Sequence, residues 1–128
     1  MRRIRKSFGF ALEGLSHAVK MERNLQLFLP VYALLLILGS MVRLIGWEWL
    51  ALIMAGGMFL SVELLNTALE RLTDVLDDQK KITGRTHYHA TLKAAKDVGA
   101  AASLVSLVAM IAVVCIVFAP YVNMYVLH

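Results

Sequence analysis

Charge is what this sequence has least of. Only 17% of its 128 residues are Asp, Glu, Lys or Arg. Soluble domains carry about a quarter, so a compact globule of this chain would lack a solvating surface. Cysteine is nearly absent too. The one thiol, Cys115, excludes a disulfide framework, and with no cysteine partners it also excludes a cysteine-built zinc site. Two prolines, Pro30 and Pro120, leave little that would break long elements. A Walker-type phosphate loop is missing as well. Gly9 and Gly14 have its spacing, but Leu15 stands where the lysine must be and no strand precedes them. Acidic residues are outnumbered, nine against 13 basic, yet the basic residues flank apolar runs and do not form a nucleic-acid face, so no nucleic acid is expected as a partner. At this length there is room for one domain, 1–128.

What the sequence has in quantity is apolar chain: 59% of residues are hydrophobic and the mean hydropathy is +0.69. Three stretches, about 25–45, 47–76 and 90–119, are each long enough for a bilayer core of ~30 Å at ~1.5 Å per residue. An all-α integral membrane protein with three spanning helices follows. Arg2, Arg3, Arg5, Lys6, Lys20 and Arg23 precede the first span, and Arg71, Lys80, Lys81, Arg85, Lys93 and Lys96 flank the second connection; only Arg43 lies in the first. The positive-inside rule then predicts a cytoplasmic N-terminus and second loop, with the 43–48 turn and the C-terminus outside. Trp47, Trp49, Tyr121 and Tyr125 suit an aromatic belt on that outer face.

The basic start is not a signal peptide, because Glu13, His17, Lys20, Glu22 and Arg23 interrupt it. Ile4, Phe8, Ala11, Leu12, Leu15, Ala18 and Val19 recur at steps of three and four, which predicts an amphipathic helix over 1–24 lying in the cytoplasmic interface. The polar run 77–88, with Gly84 inside it, predicts a cytoplasmic loop. His87 and His89 flank Tyr88 there. Without cysteines or further ligands nearby, a solvated loop is the better account of them than a transition-metal pair. Cys115, deep in an apolar run, has nothing to activate it.

The chemistry concentrates on the second span. Glu63, Asn66, Glu70, Asp74 and Asp77 follow one another at steps of three and four, which keeps them on one helix face. Asp74, Asp77 and Asp78 read as solvated surface where the helix leaves the membrane. Glu63 and Asn66 do not, since an ionisable group at the edge of hydrocarbon is costly and functional by default. Glu22-Arg23-Asn24 and Lys96-Asp97 come to the same depth if three helices run antiparallel. Carboxylates with few nitrogen or sulfur partners suit a hard cation such as Mg²⁺ held with phosphate oxygens, and a lysine beside it suits phosphate. A remaining carboxylate can take a proton from a hydroxyl. Phosphoryl transfer from a Mg²⁺-nucleotide to a membrane-embedded hydroxyl needs little more, although proton or cation transport uses the same groups. Ala95, Gly99 and Ser103 form a small-xxx-small series that suits close helix packing. One chain of this size hardly encloses a site, so self-association is expected.

Two motifs resemble a known family. Glu63, Asn66, Thr67, Ala68, Glu70 and Asp74 match its E-x-x-N-[ST]-A-x-E-x-x-x-D pattern, and Ala95-Lys96-Asp97 with Ala100-Ala101 matches A-K-D-x-x-[AS]-A. The chain thus resembles the small prokaryotic diacylglycerol kinases. Its Phe8-Gly9-Phe10-Ala11 start, with Gly14, Glu22 and Asn24, is closer to the undecaprenol kinase branch. Several residues between Asp74 and Tyr88, Lys80, Lys81 and Arg85 among them, exceed the usual family length, and His87 stands at a position where members usually carry Glu.

The resemblance implies a bacterial inner-membrane homotrimer in which each chain has three spanning helices and a surface helix. It implies transfer of the γ-phosphoryl of MgATP to the primary hydroxyl of a lipid alcohol, undecaprenol first and diacylglycerol as the alternative. A small oligomeric transporter or scaffold is the distant rival. By the same resemblance Glu63 is the proton acceptor beside Asn66, and Glu22 and Glu70 are ligands of the Mg²⁺ bound to ATP. Lys96, Asp97, Arg3, His87, Tyr88 and His89 contact the nucleotide along with Glu22 and Glu70, and Gly9 and Gly14 join Glu63 at the lipid substrate.

Overall fold

A computed structural model describes residues 2–83 and 89–126. All four of its elements are helices: α1 (Arg2–Met21), α2 (Arg23–Met41), α3 (Gly46–Thr83) and α4 (His89–Val126). The segments Arg23–Met41, Gly46–Asp78 and Ala90–Met124 are long and apolar enough to cross a membrane, the three spans expected from the sequence. His87 and Tyr88 lie outside the described residues, as does the side chain of His89.

α1 and α2 are separated by a single residue. Glu22 takes an extended backbone (φ −100°, ψ 115°) while its N–H still reaches Ala18 O at 2.8 Å and its carbonyl accepts from Gln26 N–H at 3.1 Å. The chain therefore breaks its helical path at Glu22 while that residue's own N–H and carbonyl stay bonded to the two flanking helices. α2 ends at Met41, short of the expected 45. Leu44 N–H bonds Gly39 O at 3.0 Å and Arg43 N–H bonds Ser40 O at 3.3 Å, the paired bonds of a Schellman closure. Arg43 occupies the left-handed position that this closure needs (φ 60°), where glycine is the usual choice.

α3 and α4 have 38 residues each, about 57 Å at 1.5 Å per residue and nearly twice the thickness of a bilayer core. They form the most extensive helix pair in the chain, so both run past the hydrocarbon together at the Thr83 end of α3 and the His89 end of α4. The loop expected from 77 is helical through Thr83. The run Asp77-Asp78-Gln79-Lys80-Lys81 holds no glycine or proline, and Gly84 is the first residue able to stop the helix cheaply. α4 likewise passes through Pro120 to Val126, beyond the expected end at 119. A proline removes one ladder bond, and here Tyr121 is tied down from α3 (below), so the turn survives.

α2 packs on the α3–α4 pair through aromatics. Phe28 stacks on Tyr32 (centroids 5.2 Å apart) and meets Phe59 tilted at 4.6 Å, with Met110 of α4 completing the buried cluster. Tyr32 lies over Gly56, where any Cβ would overlap its ring, and its hydroxyl donates to Leu52 O at 3.2 Å. Leu44, Leu52 and Val117 form a second cluster near the α2–α3 turn. Most other large apolar side chains, such as Leu34, Leu50, Ile111 and Ile116, point outward, as a lipid-facing surface requires.

Candidate active site

Three helices converge on one carboxylate. Glu63 is 2% exposed, and an unpaired buried carboxylate would be very costly. Asn24, at the start of α2, donates its Nδ2–H to Glu63 Oε1 at 2.8 Å, and Ser103 of α4 donates its Oγ–H to Oε2. Donors to an ionised acceptor are the strong hydrogen bonds, and the two fix the carboxylate from both sides.

One turn along, Asn66 is also buried. Its Nδ2–H donates to Glu70 Oε1 at 3.0 Å, and because a carboxylate can only accept, this fixes which way the amide points. Asn66 Oδ1 therefore faces α4, where it is buried without a hydrogen-bond partner. It lies against Gly99, where an added Cβ would come to 2.5 Å from that oxygen. Glycine is required here by close approach, since any side chain would displace the amide.

Glu22 reaches α3 through Arg71, the residue after Glu70, at 3.7 Å. Both side chains are partly exposed, so the pair contributes little to stability. Lys96 Nζ lies 2.6 Å from Asp74 Oδ1, one turn beyond Glu70, and this exposed pair too is worth little as a stabiliser. Its value is positional, because it aims Lys96 at α3. Lys93, Lys96, Asp74 and Asp77 line a cleft of about 430 Å³ between the projecting parts of α3 and α4.

A larger groove of about 690 Å³ runs along α2 and α4. Asn24, Asn66, Glu70 and Ser103 make its polar end; Phe28, Leu35, Leu107 and Met110 make the rest of its wall, to Cys115. From Ala100 to Cys115 that is about 22 Å along α4 at 1.5 Å per residue. Glu63 lies behind the polar end, covered by Asn24 and Ser103. The site thus has an apolar channel, a carboxylate at its polar end and a charged cleft beyond.

Of the residues singled out in the sequence, Asn66 bonds Glu70, Glu22 pairs with Arg71, Lys96 pairs with Asp74, and Glu63 lies one turn from Asn66 on α3. Asp97 is exposed on α4. Arg3, Gly9 and Gly14 are carried on α1, and none of them lines the groove or the cleft; nothing lies within 4 Å of a Cβ at either glycine. Sequence reasoning read Gly99 and Ser103 only as packing residues, whereas one admits Asn66 and the other binds Glu63. Their signal was spacing: 96, 99 and 103 are three and four apart, so both share the face of Lys96. Asn24 was noted beside Glu22 but given no task, and Asp74 was read only as surface.

The donors available to a metal are oxygens. Among the described residues no three His, Cys, Asp or Glu side chains gather into a self-sufficient metal site. Mg²⁺ held with a nucleotide takes only one or two carboxylates, phosphates and water supplying the remainder, so Glu22 and Glu70 fit it.

Comparison with known proteins points the same way as this geometry. The family described as prokaryotic diacylglycerol kinase matches residues 9–118. An undecaprenol kinase of Bacillus subtilis (strain 168) is 36% identical over 121 residues, 94% of this chain and 91% of that protein. A diacylglycerol kinase of Synechocystis sp. (strain ATCC 27184 / PCC 6803 / Kazusa) is 29% identical over 121 residues, 94% of this chain and 65% of that protein. No solved structure matches significantly. With a buried carboxylate at the polar end of an apolar groove and a family match over most of its length, the chain belongs to the prokaryotic diacylglycerol kinase family of membrane lipid kinases.

Proposed function

We propose that the protein phosphorylates the primary hydroxyl of a lipid alcohol, undecaprenol, using the γ-phosphoryl of ATP. The observation that carries this reading is Glu63, a carboxylate buried at the polar end of a groove that is otherwise apolar for about 22 Å. A long hydrocarbon lies in such a groove with its hydroxyl at the polar end. The hydroxyl gives its proton to Glu63 as its oxygen attacks the γ-phosphorus, the bond to the β-phosphate oxygen breaks, and ADP leaves. Asn66 braces Glu70 beside the reacting groups. Mg²⁺ bound with ATP supplies neutralisation of phosphate charge, and Glu22 and Glu70 are the residues that would hold it.

Lys96 and Asp97 belong to the nucleotide side, with Lys96 lining the charged cleft. In this reading Arg3 on α1, His87 and Tyr88 in the 84–88 segment and His89 at the start of α4 complete the nucleotide contacts. Gly9 and Gly14 let α1 lie close to the lipid headgroup. α1 exposes Ile4, Phe8 and Leu12, which suits an amphipathic helix lying on the membrane surface. Lys and Arg cluster at the N-terminus and around the α3–α4 connection, which supports a reading with both on the cytoplasmic side of the bacterial inner membrane and the C-terminus outside. A second apolar face of α3 and α4, rich in small residues such as Ala51, Ala55, Ala101 and Ala102, suits close contact with further copies in a homotrimer.

The test uses purified protein in micelles with γ-labelled ATP and one lipid at a time. Label is expected on undecaprenol. Label on diacylglycerol alone would move the chain to the alternative, phosphatidic acid formation, and label on neither would reject lipid phosphorylation.

A further inference from the structure

The transfer described above gives Ser103 no task, yet this hydroxyl occupies the most telling place in the groove. Ser103 is 9% exposed, lines the polar end and donates its Oγ–H to Glu63 Oε2. That is the bond an acceptor alcohol must make before a carboxylate can take its proton. Oε1 is already held by Asn24 Nδ2 at 2.8 Å, and only 2% of Glu63 is exposed. A lipid hydroxyl entering from the groove therefore meets Asn24 and Ser103 before it meets the base.

Resting on the lipid-alcohol reading, we propose that Ser103 holds the acceptor's place: its hydroxyl stands where the substrate hydroxyl will bind, and turns away when the lipid alcohol enters and donates to Oε2 in its stead. The exchange replaces one hydroxyl donor by another, so the buried carboxylate is never left with an unpaired oxygen. α4 offers the displaced hydroxyl a partner, because a helical serine can donate to a carbonyl three or four residues back. Ser106 does this to Ser103 O at 2.7 Å, and Ser61 to Gly57 O at 2.8 Å. For Ser103 the carbonyl of Gly99 lies four residues back. Asn24 keeps hold of Oε1 throughout, so the base retains its orientation while the donor on Oε2 changes. Ser103 is thus a gating residue that acts through Glu63, and it favours ligands able to donate a hydrogen bond at the polar end.

The test is an equilibrium titration of the full chain in nanodiscs without nucleotide, using farnesol as a short lipid alcohol and farnesyl methyl ether as its partner with no O–H to donate. Ser103→Ala removes the resident donor and should lower the Kd for farnesol roughly three- to tenfold, the worth of one exchanged hydrogen bond. Ser103→Thr keeps a hydroxyl and should retain the wild-type Kd. The ether should bind wild type and Ser103→Ala alike, since only space, and not a donor, has changed for it. In turnover with farnesol and ATP, KM should fall with Kd. Unchanged or weaker farnesol binding in Ser103→Ala overturns the proposal. So does an equal gain for the ether, or a drop in kcat at unchanged Kd, which would assign Ser103 to holding Glu63 for the chemical step. Absence of phosphoryl transfer by the wild type would instead remove the lipid-kinase reading, and the titration, which needs no nucleotide, would still report on the hydroxyl.

Discussion

Glu48 and Glu63 are both buried carboxylates on α3, 5% and 2% exposed and about 22 Å apart along the helix. Glu48 sits in the first turn, three residues after Ile45, and its Oε2 accepts from Ile45 N–H at 2.9 Å and from Tyr121 Oη–H at 2.6 Å. That is the backward half of a capping box with a tyrosine added, and the positive end of the helix dipole favours the charge. Glu63 has no free backbone donor to cap. Its partners, Asn24 and Ser103, are side chains from the other two spanning helices, and both line the groove. Burial is therefore common to a carboxylate that closes a helix end and to the one proposed as the base. What separates them is whether the partners close a helix end or face a ligand space.

The sharpest way to break that contrast is Glu63→Gln. The amide has the same shape, and Ser103 and Asn24 can still bond it once the Asn24 amide turns over, so folding should survive. Loss of the base should lower kcat by about 10² to 10⁴-fold, the usual span for general base catalysis. Turnover with labelled ATP and undecaprenol, beside thermal unfolding in the same detergent, checks both halves. Wild-type turnover in this variant would remove Glu63 from the chemistry and erase the difference from Glu48.

A smaller effect should come from Gly99→Ala, which leaves both carboxylates in place. The new methyl would stand 2.5 Å from Asn66 Oδ1, so Asn66 must move and loosen its bond to Glu70. Overpacking of this kind costs about 1–3 kcal/mol. The loss should appear in turnover with undecaprenol and in the ATP concentration needed for half-maximal rate, because Glu70 is proposed to hold the Mg²⁺ bound with the nucleotide. An unaltered rate and KM for ATP would show that the position of Asn66 does not matter to the site.

Much of this was legible in the sequence for a physical reason. The three spans and the line from Glu63 to Asp77 are periodic features within single helices, and periodicity is what a sequence displays directly. The family motifs singled out Glu22, Glu70 and Lys96, which the structure ties to Arg71, Asn66 and Asp74. Contacts between helices were not legible in the same way. That Ser103 bonds Glu63 depends on the rotation of α4 against α3, which a run of small residues permits without specifying. The turn over 43–48 is legible, but the task of Glu48 is not, because its bond from Tyr121 Oη–H joins α3 to α4 and no pattern within a single helix displays it. The loop predicted from 77 starts too early, because polar composition does not imply irregular backbone: Asp, Gln and Lys without glycine continue the helix through Thr83.

Glu48→Gln should give the smallest effect and tests the other side of the comparison. Glutamine keeps an oxygen for Ile45 N–H and Tyr121 Oη–H, so the turn and the end of α4 stay joined, but the negative charge at the first turn is gone. Charge of that kind at a helix start is worth about 0.3–1 kcal/mol, so the midpoint of unfolding in detergent should fall modestly. Tyr121→Phe should shift it in the same direction, and hydrogen exchange should quicken in the turn after Pro120, which Tyr121 anchors. Turnover with undecaprenol should remain at the wild-type rate in both variants, since neither residue lines the groove. A loss of rate approaching that of Glu63→Gln would mean that the turn end of α3 communicates with the groove, and the two buried carboxylates would then belong to one functional unit.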